Sequence, residues 1–422
     1  MKVAVVGAGL AGICATKQCL DYGLDVTTFE KTNTIGGTWV YTDYVGEDDF
    51  GLDVHTSMYQ NLRTNFPKEI MCFPDYDFTG PQQSYVSANE VLQFIKKYAQ
   101  EFQVEKRIQF RREIVRIRPK ATSKWEIMVR NLMNETIEIQ IFDAVMVCNG
   151  HYSVPRTPEF RGLDLYKGKT LHSHSFRSAD VFKVDTIKRR WNIQGETVLV
   201  IGGASSGTDV AYFVSKVAQK ATISTHDSKR SFPSEIHKKP DVKEFTENGV
   251  IFEDGSREDF SVVIFATGYL YSFPFLSMDC GITVDDNFIQ PLFKHTINIK
   301  FPTMCLIGMP YLVHPPLICY LQIQLFLKFF TGAKTLPSTE EMMRITNEEM
   351  EIRWKNGLAR KHAHMMGVDL LGDYYADVCN LAGLPPVKPF MMEIYRQNQR
   401  NLTRDSVKFR EIFGIFFVNM SH

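Results

Sequence analysis

A chain of 422 residues with 44% hydrophobic residues can bury about two to three domain cores, which excludes a disordered or fibrous protein. Its 48 basic and 48 acidic residues cancel to zero net charge and are spread along the chain, which excludes a nucleic-acid footprint or a polybasic membrane patch and points to a small-molecule partner. Eight scattered cysteines without a CxxC pair exclude a disulfide framework, a redox-active pair and a cysteine-based metal site; they read as buried, reduced thiols.

In chain order, apolar KVAVV, then GAGLAG, a helical stretch through Leu20 and DVTTFE ending at Glu30 predict a βαβ unit. Gly7 falls too early to leave room for a signal peptide, so a cytosolic protein is expected, a secreted one only if a leader has been removed; sequons at Asn134, Asn401 and Asn419 matter only in that case. Gly7, Gly9 and Gly12, with Ala8 and Leu10 between them, have GxGxxG spacing: a tight turn, a close backbone approach to a pyrophosphate, and helix-on-strand packing. Glu30, at the end of the next strand, is placed to accept ribose hydroxyls. IGGTW follows, where the paired glycines Gly36 and Gly37 permit close approach of an extended cofactor, Thr38 is a further candidate contact, and Trp39 packs either on that cofactor or into the core.

A second unit begins at TVLVI, residues 197–201. Its loop, GGASSG, keeps Gly202 and Gly207 but has Ala204 where the middle glycine belongs, and Ser205, Ser206 and Thr208 add hydroxyl donors. The following strand ends in Thr225 and His226, without an acid; His226, Lys229 and Arg230 can attract a 2′-phosphate, favouring NADPH over NADH, although each alone reads equally well as part of a solvated turn. VIFEDGSREDFSVVIFATGY is hairpin-like, with Asp254-Gly255 at its turn, and SVVIFATGY aligns with the earlier DAVMVCNGH as in an internal duplication. The expected architecture is α/β, with two Rossmann-like dinucleotide-binding domains. The smaller NADPH domain (153–280) is inserted into the larger FAD domain, made of 1–152 and a return over 281–422 carrying the substrate pocket and C-terminal helices.

Residues 317–330 contain Gln322, Gln324 and Lys328 and read as a buried or amphipathic helix, not a membrane span. MPYLVHPPLICY (309–320) either lines the site or forms core and turn. Ser338 and Glu341 predict a capping box opening an amphipathic helix. Two dinucleotide sites on one chain imply electron transfer between them, and without a cysteine pair or metal site the expected acceptor is oxygen. His172 and His174, two apart, are expected on opposite faces of a strand and so unable to share a metal.

Those two histidines lie in YKGKTLHSHSF (166–176), which resembles the FxGxxxHxxx(Y/F) fingerprint of flavin-containing monooxygenases. Gly168, His172 and Phe176 fit; Tyr166 replaces the usual first Phe, and Baeyer–Villiger relatives carry Trp at the last position. RTNFPKE within residues 58–78, GGASSG and FATGY (265–269) fall in family order. The GGASSG form resembles soluble fungal and insect members, and the branch oxidising plant alkaloids is the narrower expectation. The resemblance implies that NADPH reduces FAD, that the flavin captures O2 as a C4a-hydroperoxide shielded by NADP⁺, and that a tertiary amine or sulfide leaves as its N-oxide or S-oxide. It implies further that Asn65, with Thr64 beside it, sits where its amide can hydrogen-bond the flavin peroxide or the nicotinamide, that Thr267 and Gly268 lie on the cofactor side, and that His172 orients and hydrogen-bonds, a role favoured over direct catalysis. Product analysis separates Baeyer–Villiger or N-hydroxylating chemistry, and a colourless protein would indicate a dinucleotide-binding regulator. Oligomeric state is left open.

Overall fold

The computed structural model describes residues 1–179, 182–184, 189–191, 193 and 195–412. β1 (Lys2–Val6), α1 (Leu10–Asp21) and β2 (Asp25–Glu30) form the first βαβ unit. β1 lies between β2 and a later strand, Ala144–Val147, and pairs with both in parallel, Val3 opposite Val26 on one side and Ala144 on the other. A strand covered on both faces needs apolar residues throughout, which is why β1 reads as a continuous run instead of an alternating one. The full sheet has seven strands in the order 292–293, 297–298, 304–306, 144–147, β1, β2, 108–110; the pairings of 292–293 with 297–298 and of 297–298 with 304–306 are antiparallel, the rest parallel. α1 and α2 (Ala88–Glu101) pack on one face, and the antiparallel meander 112–119, 125–131, 137–142 on the other, around Ile117, Trp125 and Phe142.

After Val147 the chain leaves this sheet and builds a second one of five parallel strands in the order 236–239, 220–224, 197–201, 262–265, 169–172. α3 (Ser205–Ser215) packs on it. The duplication is visible in the registers. Val3 faces Ala144 and Val6 faces Val147, just as Val198 faces Val262 and Ile201 faces Phe265. The hairpin is formed by 249–252 and 257–259, with Asp254 Oδ1 accepting from Ser256 N (2.9 Å) and Gly255 at φ +80°; Val262–Phe265 joins the parallel sheet. The outgoing crossing, Val154–Pro155, pairs antiparallel with the returning one, Tyr269–Leu270, so the second unit is inserted into the first. By Phe275, whose carbonyl accepts from Ile117 N (2.7 Å), the chain is back against the first unit.

One expectation fails. The strand containing His172 stops there, and residues 173–175 make a 3₁₀ turn in which His174 N donates to His172 Nδ1 (3.0 Å). The two imidazoles therefore do not occupy opposite strand faces; both pack against the Tyr269 ring, at 5.3 and 5.8 Å.

α4 (Pro315–Phe330) is buried nearly throughout. Its glutamines have partners: Gln322 takes Gly308 N and Tyr374 Oη (both 2.8 Å), and Gln324 takes Tyr22 Oη (2.9 Å) and Gln18 (2.5 Å) of α1. Such satisfied polar groups belong to a protein core, and no described helix is long and apolar enough to cross a membrane. Met309, Val313 and His314, which precede α4, are core residues. α5 (Thr339–Lys355) is capped by Ser338 Oγ, but Glu341 pairs with Arg344, so the capping box is half formed. α6 (Gly367–Ala382), α7 (Pro389–Arg404) and α8 (Phe409–Ile412) are the last helices among the described residues. All eight cysteines are free thiols, seven of them buried. Asn134 is exposed and Asn401 buried, while Asn419 lies outside the described residues.

Candidate active site

The first glycine loop is shaped by three contacts. Gly7 adopts φ +95°, where a Cβ would stand 2.8 Å from the Cys148 carbonyl oxygen, and a Cβ on Gly12 would stand 1.8 Å from the Gly7 oxygen, so α1 is pressed onto β1. Gly9 is the N-cap of α1 and no side chain caps it. The N–H groups of the first turn from Leu10 onward are thereby left for an anion. Gly37, at φ +55°, closes onto Gly9, and Thr38 Oγ1 is buried without a hydrogen-bond partner. Trp39 is half-buried against the core. Glu30 Oε2 accepts from Ala8 N, and Oε1 from Thr32 N and Oγ1, each at 2.8 Å. These bonds use three of the carboxylate's roughly four acceptor positions. Thr32 Oγ1 can release the third, because Thr34 O lies 2.9 Å away. His55, which no motif marks, sits here too: burial first, then Lys31, hold its imidazole below the ordinary value, against the Gly37 backbone. A groove with glycine backbone on two sides, an uncapped helix end, an orphaned hydroxyl and a carboxylate fits an extended dinucleotide such as FAD.

The second loop repeats the construction. Gly202 takes φ +113° with its Cβ position 2.3 Å from the Ala266 oxygen, and that of Gly207 is 1.8 Å from the Gly202 oxygen. Ala204 is the N-cap of α3, exposed, with Ser205 and Ser206 in the uncapped first turn. Thr208, by contrast, is 1% exposed and its hydroxyl turns inward toward Gly203 O (3.4 Å). Gly7 N donates to Phe29 O and Gly202 N to Ser224 O, so the residue that stands where Glu30 does is Thr225. A Cβ on Gly203 would meet Thr225 Oγ1 at 2.4 Å. Arg230 Nη1 donates to Gly203 O (2.5 Å) and its Nε is buried without a hydrogen-bond partner, whereas His226 and Lys229 are exposed. Asp227, which the motif reading passed over, accepts from Lys229 N and Arg230 N and lies 3.5 Å from Arg230 Nε. Thr267 Oγ1 donates to Arg156 O (2.5 Å) and Gly268 O accepts from Arg156 N (2.9 Å); both tie the returning crossing to the outgoing one.

Between the loops runs the 166–176 stretch. Tyr166 Oη donates to Phe260 O (2.8 Å), Gly168 has no room for a Cβ beneath that ring, and Phe176 is fully buried edge-on to Tyr59. Arg177, which follows, donates to the carbonyls of Tyr44, Thr56, His174 and Phe176. The stretch thus fastens residues 44–56 to the second unit.

Asn65 lies in a loop held from several sides. Thr64 N and Oγ1 bond Val86, Asn65 O accepts from Asn398 Nδ2 (3.0 Å), and Asn65 Oδ1 accepts from Arg410 Nη2 (2.5 Å). Neither Asn398 nor Arg410 carries any signal in its local sequence.

The profile of the FMO-like family, flavin-binding monooxygenase-like, matches residues 1–232 and 229–403. The chain belongs to this family. Its members are flavin-dependent oxidoreductases. Similar relatives include senecionine N-oxygenase of Tyria jacobaeae, 32% identical over 97% of this chain and 89% of the relative. Flavin-containing monooxygenase FMO GS-OX-like 4 of Arabidopsis thaliana is 30% identical over 93% and 90%. Among solved structures, the S-allyl-L-cysteine S-oxygenase from Allium sativum superposes with a TM-score of 0.89 at 29% identity, covering 97% of this chain and 94% of that one. These relatives include both N- and S-oxygenases.

Proposed function

We propose that this flavin monooxygenase uses FAD in the first unit and NADPH in the second to insert one atom of O2 into soft nucleophilic nitrogen or sulfur centres, giving N-oxides from tertiary amines such as alkaloids or S-oxides from sulfides. FAD, when bound, supplies the electron transfer and oxygen activation. The chain's own residues bind, orient and exclude water. The uncapped start of α1 meets the FAD pyrophosphate and Glu30 a ribose hydroxyl, while the start of α3, with Ser205 and Ser206, meets that of NADPH. The observation that carries the assignment is the contrast between two similarly built loops. One has Glu30 after its second strand; the other has Thr225 with Arg230 beside the loop carbonyl, which accommodates a 2′-phosphate that a carboxylate would repel. Asn65 supplies amide donors to the cofactor, and a soft nucleophile needs no general base beside it. Senecionine N-oxygenase among the relatives favours a tertiary amine.

The test is anaerobic reduction of the flavin-loaded protein with NADPH, admission of oxygen, and product analysis with a tertiary amine, a sulfide and a ketone. N- or S-oxide formation coupled to NADPH supports the reading. Lactone from the ketone, hydrogen peroxide alone, or no reduction by NADPH would overturn it.

A further inference from the structure

The C-terminal segment lies across both nucleotide units. Ser406 Oγ donates to Ser231 O (2.8 Å), immediately after Arg230. Phe409 is 1% exposed and packs edge-on against Tyr85, whose hydroxyl bonds the same Asn398 amide that holds Asn65 O. Arg410 lies at the junction. Its Nη1 and Nη2 bond both oxygens of Asp209, in α3, at 2.9 Å; Nε donates to Thr64 O (3.1 Å) and Nη2 also to Asn65 Oδ1 (2.5 Å). Four of five guanidinium hydrogens are thus committed, and both side chains of the ion pair are under a tenth exposed. Tyr59 Oη completes Asp209 (2.8 Å).

A guanidinium has no acceptor, so only the oxygen end of the Asn65 amide can face it. That contact removes the amide's flip ambiguity. We propose that Arg410 is a positioning residue: it locks Asn65 as a pure hydrogen-bond donor, both Nδ2 hydrogens turned toward the cofactor cleft, and through Asp209 it clasps this loop to the start of the second unit. The inference rests on the proposed role of Asn65.

The test compares flavin-loaded full-length Arg410→Ala, Arg410→Lys, Asn65→Ser and the Arg410→Ala/Asn65→Ser double variant with wild type. Two quantities are measured: hydrogen exchange of residues 62–66 and 405–412, and hydrogen peroxide released per NADPH oxidised with a tertiary amine present. Arg410→Ala should retain FAD, exchange both segments at least about tenfold faster, as expected for loss of a charge-assisted bond, and leak peroxide as Asn65→Ser does. The double variant should leak no more than Asn65→Ser, because the two residues act in series. Arg410→Lys should restore part of the protection of 405–412 without restoring coupling, and it carries the test if the alanine variant does not fold. Unchanged exchange in Arg410→Ala would overturn the clasp. Full coupling in Arg410→Ala, or leaks that multiply in the double variant, would overturn action through Asn65. A fully coupled Asn65→Ser enzyme locates the failure in the reading of Asn65.

Discussion

Gly37 faces Gly9 across the first loop so closely that a Cβ on Gly37 would lie 2.9 Å from the Gly9 Cα. The neighbour is backbone and cannot step aside. Gly46, at φ +79° with nothing within 4 Å of its Cβ position, bears only the conformational strain of an alanine, about 1–2 kcal/mol. Gly37→Ala should therefore weaken FAD binding at least roughly tenfold while Gly46→Ala leaves it within about twofold. Fluorescence titration of deflavinated protein with FAD measures both, and equal affinities would show that the Gly9–Gly37 approach does not shape the site.

Arg230 is the one basic residue of its turn that is anchored to the glycine loop, through Gly203 O. Arg230→Ala should raise KM for NADPH by about tenfold or more and leave KM for NADH within about twofold, the loss being that of a charge-assisted phosphate contact. Steady-state kinetics with both cofactors decide this. An equal loss for NADH would assign Arg230 to the loop's structure, with no part in recognising the phosphate.

The glycine loops and their strands were legible because their signals are local: apolar runs of strand length, glycines at fixed offsets, and the residue at the end of the second strand, Glu30, or just past it, Thr225. The relation of His172 to His174 was misjudged because a side-chain bond, His174 N to His172 Nδ1, ends the strand, and periodicity does not register such a bond. The bonds that hold Asn65 were not legible at all. Arg410 is 345 residues from Asn65 and 201 from Asp209, and contacts at that separation leave no periodic trace. His55 and Gly203 lie between: one sits near a recognised motif and the other within one, but only the fold shows what each touches.

A buried polar chain runs beneath α5. Ile289 N donates to His364 Nε2 (3.0 Å), which places the proton on Nδ1, facing His295 Nδ1 (2.9 Å); His295 Nε2 then donates to Glu349 (2.8 Å). Arg353 Nη2 also donates to Glu349 (3.0 Å), and its Nη1 to Met365 O (2.6 Å). Burial alone would raise the Glu349 pKa, but His295, Arg353 and Lys294 outweigh it and hold the carboxyl well below its ordinary 4.5. Its contribution is therefore present above that value and lost as pH falls further. Arg353→Met should destabilise by about 2–4 kcal/mol at pH 7, since it takes a charged partner from a half-buried carboxylate and leaves it only His295 and the more distant Lys294, and the deficit should shrink at about pH 4 as that carboxylate protonates more readily in the variant. Urea unfolding at the two pH values measures this; a deficit under about 1 kcal/mol at pH 7 would sink the argument.

Burial, reinforced by His174, pushes His172 from 6.5 down to about 4. Its Nδ1 accepts from His174 N, so the folded protein holds this ring neutral, while the unfolded chain takes up the proton below about pH 6.5. The folded value is the lower one, hence the stability His172 supplies is complete above pH 6.5 and declines as pH falls toward 4. At pH 5.5 the deficit is about 1 kcal/mol. His172→Asn keeps an acceptor near the Nδ1 position and cannot titrate. Any packing loss it brings is the same at every pH, so the informative quantity is the change in unfolding free energy between pH 7.5 and 5.5. That change should be smaller in the variant than in wild type by about 1 kcal/mol; identical changes would mean that His172 is protonated in the folded protein and that the His174 bond does not hold it neutral.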